Sequence, residues 1–175
     1  MLNAFSKNII PDNDDLRVKE LTSYAILDGY PDKFFNEMAS IIGKTFDAPI
    51  ALVSLVGKDH VVFKGNFGME DTNMVDRGVS LCSLAVLGAN PTIFKNALEE
   101  PCLLSNPLVV GEFGLRFYAG APLITRAGFN IGTVCIVDKK VRNFSKTDTK
   151  LLQKFASNII VELEHRKVLK EQSND

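Results

Sequence analysis

The stretch Gly114-Leu115-Arg116-Phe117-Tyr118-Ala119-Gly120-Ala121-Pro122-Leu123-Ile124 decides the fold. Small residues recur along it, and Arg126-Ala127-Gly128 follows as a turn into a second apolar run, Asn130 to Val137. Two such runs joined by a short Gly-bearing turn form a β-hairpin. Its composition places it at the centre of a sheet. Arg116 and Tyr118 are the large polar side chains of the first strand, and alternation sends both to the same sheet face.

Outward from this hairpin the pattern repeats upstream. Ile50 to Val56 is a near-continuous apolar run, the mark of a buried strand. Gly57-Lys58-Asp59 turns it into a return strand, His60 to Phe67. Between the hairpins, residues 69–78 read as an irregular surface loop. A short helix follows, with Ser80 in the N-cap place and Leu81, Leu84, Ala85 and Leu87 on its apolar side. Thr92 to Phe94 fits a short edge strand. Residues 97–114 are rich in loop formers, with one short helix near Asn106 to Val110. A loop region of that length inside a compact domain marks function or mobility.

Helices flank the hairpins. Leu16, Val18, Leu21, Tyr24, Ala25 and Leu27 recur at helical spacing from Asp14, with Asn13 or Asp14 as cap and Asp28-Gly29-Tyr30-Pro31 as stop. Asp32 to Thr45 carries Phe34, Phe35, Met38, Ile41 and Ile42 as a broad apolar face. The last helix opens with Ser145-Lys146-Thr147-Asp148, a capping box with Asp in the acidic place. From residue 146 to 170 it would span about 37 Å, more than a small sheet needs for cover. The order predicts an α+β fold, a mostly antiparallel sheet sandwiched between helices. Residues 1–12 read as a flexible arm, 13–171 as a single domain and 172–175 as a frayed tail.

Composition narrows the function classes. The 175 residues are 46% hydrophobic and 23% charged, with a formal net charge of −1. No basic stripe marks a nucleic-acid surface, and no apolar run is long enough to span a bilayer. Residues 1–10 show no signal-peptide pattern. Three irregularly spaced cysteines argue against a disulfide framework and for a reducing compartment, so a cytoplasmic location is expected. His60 and His165 lie far from any partner at ligand spacing, so no metal or cofactor is expected.

The resemblance to a known family rests on six pieces in order. They are 21–28 (LTSYAILD), 48–56 (APIALVSLV), 79–82 (VSLC), 105–109 (SNPLV), 115–123 (LRFYAGAPL) and 131–138 (IGTVCIVD). In these the chain, over roughly residues 16–166, resembles the GAF sensor domains found beside bacterial histidine kinases and diguanylate cyclases. The resemblance implies a six-stranded antiparallel sheet with the terminal helices on one face. It places the short middle helix and the long loops over the other face, enclosing a ligand pocket. It also implies a homodimer through the terminal helices and a separate kinase or cyclase as the receiver of the signal. Two positions depart from the branch: Leu84 and Asn96 stand where it often carries His and Asp. The signature of its cyclic-nucleotide-binding members is also missing.

The candidate ligand-binding residues are therefore Arg116, Tyr118, Cys82, Leu84 and Asn106. Arg116 has two roles open: a planar fork of donors for a ligand, or a brace bonding carbonyls of the 97–114 segment. Cys82 begins a helix, where the dipole favours a thiolate. Cys135, inside a strand with apolar neighbours, reads as structural. The expected function is a stand-alone sensory domain that binds a small molecule or a signalling partner without catalysis. Two alternatives stand beside it. One is a thiol enzyme like the free methionine-R-sulfoxide reductases of the same family, motivated by the three cysteines. The other is a degenerate scaffold that serves dimerisation, its pocket filled by its own side chains.

Overall fold

A computed structural model describes residues 2–28 and 31–173. Gly29 and Tyr30 of the expected helix stop, and residues 174–175 of the expected tail, lie outside the described residues. The strands are β1 (Ile50–Val56), β2 (His60–Phe67), β3 (Met74–Asp76), β4 (Thr92–Phe94), β5 (Phe117–Ile124) and β6 (Asn130–Asp138). The helices are α1 (Asp14–Ser23), α2 (Lys33–Thr45), α3 (Cys82–Ala85), α4 (Pro107–Val110) and α5 (Lys146–Ser173). The strands form one antiparallel sheet in the order β3-β2-β1-β6-β5-β4. Both expected hairpins are present, and β1 and β6 pair at the centre, Ser54 opposite Thr133.

Alternation along the strands splits the apolar residues into two cores. Ala51, Val53 and Leu55 of β1 face α2 and α5, with Phe35, Ile42, Leu152 and Ile159. Ile50 and Leu52 face the other way, toward α3 and the loop segments, with Leu81, Leu84, Leu103 and Val109. Such a sheet, buried on both faces, explains why β1 reads as a continuous apolar run rather than an alternating one.

Local signals account for the helix starts. Asp32 caps α2 by accepting from the Phe34 and Phe35 amides at 3.0 and 3.3 Å. Ser145 and Asp148 form the reciprocal box at the head of α5: Ser145 N donates to Asp148 at 2.8 Å and Asp148 N donates to Ser145 Oγ at 3.0 Å. At α1 the expectation differs. Asn13 is the N-cap residue but makes no side-chain cap bond. Asp14 instead serves two buried arginines, Arg17 (2.8 Å) and Arg77 (2.7 Å).

Two segments read as irregular are ordered. Residues 74–76 form the edge strand β3 on β2. The first residues, expected as a loose arm, pack on the second core: Phe5 and Ile9 are fully buried. Ala4 N donates to the Gly78 carbonyl at 2.8 Å, which ties the arm to the turn before α3. None of the helices among the described residues is long and apolar enough to cross a membrane.

Candidate functional site

The space between the sheet and the α3–α4 side holds a cavity of about 40 Å³. Its floor is Leu52, Cys135, Val137 and Tyr118; α3 contributes Cys82, and Leu108 of α4 and Phe113 of the following loop close it. Ligand pockets usually enclose roughly 300–1,000 Å³. This one is an order of magnitude smaller and almost entirely apolar. The larger hollows, about 720 Å³ lined by Asp47, Lys139, Lys140 and Arg142 and about 360 Å³ between β5 and α5, lie elsewhere.

The polar groups of this region converge on one point. Cys82 Sγ lies 3.8 Å from Cys135 Sγ, and the Tyr118 hydroxyl donates to Cys82 Sγ at 3.5 Å. Tyr118 reaches it because its ring lies along its own strand over Gly120. A Cβ at Gly120 would stand 2.4 Å from the Tyr118 hydroxyl, so the ring keeps this position only over a glycine. Gly120 is the register partner of Cys135, which brings the Tyr118 hydroxyl to the sulfurs. Ser54 and Thr133, opposite each other on β1 and β6, are fully buried, and neither hydroxyl has a hydrogen-bond partner in the usual distance range. An unmade hydrogen bond of this kind costs about 1–3 kcal/mol.

The Ser54 and Thr133 hydroxyls still help to hold Cys82 below the ordinary thiol range. The largest cause is the hydrogen bond from Cys135; burial opposes it, and Ser54, Thr133 and Tyr118 add to the lowering. Cys135 moves the other way: its hydrogen bond to Cys82 and its burial hold the proton on. Burial also raises Tyr118 well above its usual range, foremost, with the Cys82 charge adding to it, so the phenol remains a donor. The arrangement is asymmetric, one sulfur poised as acceptor of negative charge and the other as proton holder.

The residues singled out from the sequence fall into different roles. Tyr118 and Cys82 meet in the cavity wall. Arg116 shares the sheet face of Tyr118 but braces the loop: its Nη1 donates to the Val109 carbonyl at 2.8 Å and the Leu115 carbonyl at 2.9 Å. Asn106 is fully buried and caps α4, accepting from Leu108 N at 2.9 Å while Nδ2 donates to the Val79 carbonyl at 2.8 Å. Leu84 packs in the core behind the cavity. Cys102 is half-buried beside the second core and is not part of the cavity wall. Cys135 is fully buried in the second core, and its contact with Cys82 was not expected from the sequence, since its strand neighbours hide that partner. The signal was the alternation itself: Thr133, Cys135 and Val137 share one face, and that face looks at α3. Among the described residues no group of His, Cys, Asp and Glu is clustered to hold a metal.

The family model for the GAF domain matches residues 31–163. The chain belongs to the GAF family. A cyclic di-GMP phosphodiesterase of Pseudomonas aeruginosa is 30% identical over 154 residues, 87% of this chain but 26% of that protein, so this GAF chain spans about a quarter of its curated relative. The GAF domain of an Acinetobacter phosphoenolpyruvate-protein phosphotransferase superposes with a TM-score of 0.62 at 13% identity, covering 86% of this chain and 90% of that one. A free methionine-R-sulfoxide reductase from Neisseria meningitidis, solved with its substrate, gives 0.61 at 18% identity, covering 99% and 98%. At these identities the two structures share the fold. GAF domains are in general sensory and regulatory modules, and the six-stranded antiparallel sheet with helices is theirs.

Proposed function

We propose that this GAF domain is a non-catalytic regulatory module that works by pairing with a second copy through α5 and passing its state to an output partner. The observation that carries this reading is the size of the cavity. At about 40 Å³ it is far smaller than the space a nucleotide or a comparable organic ligand occupies, which supports recognition at the surface. The surface offers a candidate. Along the outer side of α5, Val161 is 67% exposed, Val168 42% and Leu169 49%. Val161 and Val168 are one heptad apart and share a helix face, the spacing of a helix-pairing seam. The match to part of a cyclic di-GMP phosphodiesterase supports an output of the cyclic-dinucleotide kind, with a kinase or a cyclase as the other receivers the family offers.

Sedimentation velocity tests the pairing. The wild-type chain is expected to sediment as a dimer, and the surface variant Val161→Glu as a folded monomer. A monomeric wild type, or a dimer indifferent to Val161→Glu, overturns the reading.

A second reading, a thiol reductase of sulfoxides, has the Cys82–Cys135 contact in its favour. Turnover of free methionine sulfoxide with a dithiol reductant would establish it. The regulatory reading expects none, because the cavity lacks room for the amino acid.

A further inference from the structure

The geometry points to Cys82 and Cys135 as a redox modification site, at which a small hydroperoxide converts the two thiols into a disulfide bridging α3 to β6. This goes beyond the regulatory reading and does not rest on it. Four observations place the chemistry there.

The sulfurs are in contact at 3.8 Å, and a bond between them requires an approach to about 2.05 Å. Both cysteines are free. The hydroxyl of Tyr118 donates to Cys82, and two more fully buried hydroxyls, Ser54 and Thr133, stand opposite each other on β1 and β6 without a hydrogen-bond partner. The Tyr118 hydroxyl is a donor of the kind that stabilises negative charge on a sulfur. The adjoining cavity of about 40 Å³ touches both sulfurs. One water needs roughly 10–15 Å³ of such space, so a two-oxygen molecule fits where an amino acid or nucleotide does not. Its outer wall is Met69, Val75, Leu108 and Phe113, all only partly buried, which gives a short way in from solvent.

The Cys82 thiolate attacks one peroxide oxygen; an S–O bond forms, the O–O bond breaks, and the leaving oxygen takes up the proton that Cys82 released and departs as water or alcohol. Cys82 is now a sulfenic acid. The Cys135 sulfur then attacks Cys82 Sγ; the S–S bond forms, the S–O bond breaks, and the hydroxide leaves as water with the Cys135 proton. Two thiols lose two electrons in all, and the peroxide gains them. Cys135 acts as resolving thiol, and its position behind Cys82 keeps the sulfenic acid short-lived.

The test uses the whole chain. Reduced protein is treated with one equivalent of hydrogen peroxide, remaining thiols are blocked with iodoacetamide in denaturant, and the peptides are mapped by mass spectrometry. The expected product is a Cys82–Cys135 linked peptide, lighter by the two hydrogens lost, with Cys102 alkylated and the link reversed by dithiothreitol. Cys135→Ser is expected to stop at Cys82 sulfenic acid, captured by dimedone. Should Cys135→Ser not fold, the wild-type and Cys102→Ser maps decide the question by themselves. A disulfide that includes Cys102, or Cys82 and Cys135 both alkylated after peroxide has been consumed, overturns the proposal.

Discussion

Replacing Asp14 by Asn tests how α1 is fastened to the rest of the domain. Asp14 accepts from Arg17 Nε at 2.8 Å and from Arg77 Nη2 and Nη1 at 2.7 and 2.8 Å. Arg17 and Arg77 are 1% and 0% exposed, and Asp14 is the carboxylate both are paired with. Arg17 also donates to the Val56 carbonyl at 2.6 Å and Arg77 to the Lys58 carbonyl at 3.1 Å, so the network joins α1 to the end of β1 and its turn. Arg17 Nη2 and Arg77 Nε already lack partners, so little slack remains to absorb a lost acceptor. Removing one member of a buried ion pair costs about 3–5 kcal/mol. Asp14 itself touches solvent, which favours the lower end, about 3 kcal/mol. For a chain of this length that lowers Tm by about 6–12 °C.

The pH dependence adds a second check. Burial raises the Asp14 pKa, but the hydrogen bonds from Arg77 and Arg17 and their charges outweigh it, so the folded value lies below the ordinary one. A depressed carboxylate contributes stability that is full above its unfolded pKa, about 4, and is lost as pH falls through the folded value. The gap between wild type and Asp14→Asn in urea denaturation is therefore widest at neutral pH and narrows below about pH 4. The exposed neighbour variant Asp15→Asn should stay within about 0.5 kcal/mol of wild type. An Asp14→Asn protein equally stable at pH 7, or a gap that does not change with pH, refutes the argument.

Three further perturbations probe the site and its supports. Asn106→Ala removes the α4 cap and the bond to the Val79 carbonyl, and should cost about 2 kcal/mol by chemical denaturation. Gly132→Ala would place a Cβ 2.1 Å from the Ser54 carbonyl in the central β1–β6 pair, where neither backbone yields; a loss of about 3 kcal/mol in denaturant is expected. Tyr118→Phe keeps the packing and deletes one donor to Cys82, so the midpoint of Cys82 alkylation against pH should rise from its depressed position with a near-unchanged fold.

Most of the fold was legible because the signals were local and repeated. Apolar runs bounded by Gly-bearing turns gave both hairpins, and Ser145 with Asp148 gave the start of α5. β3 escaped because three residues with an exposed Met74 at their head are too few to show a period of two. The packed arm escaped because Phe5 and Ile9 stand in a short stretch with no sustained helix or strand period, and what buries them is the remote turn at Gly78 and core residues far along the chain. The site was half legible. Alternation placed Tyr118 correctly, but it could not say that Arg116, on the same face, turns to the Val109 carbonyl instead of the cavity. Cys135 is the clearest limit: its sulfur contact is with Cys82, 53 positions away, and no local pattern reports a contact of that separation.

The central claim is that no nucleotide-sized ligand enters the space between the sheet and α3. The most direct measurement is the Tm of the reduced chain across saturating concentrations of cyclic di-GMP and the common cyclic mononucleotides. The account predicts an unchanged Tm for each. A bound ligand at a hundred times its Kd would add about 2.7 kcal/mol, or about 5–11 °C, and a saturable rise of that order for any of them would contradict it.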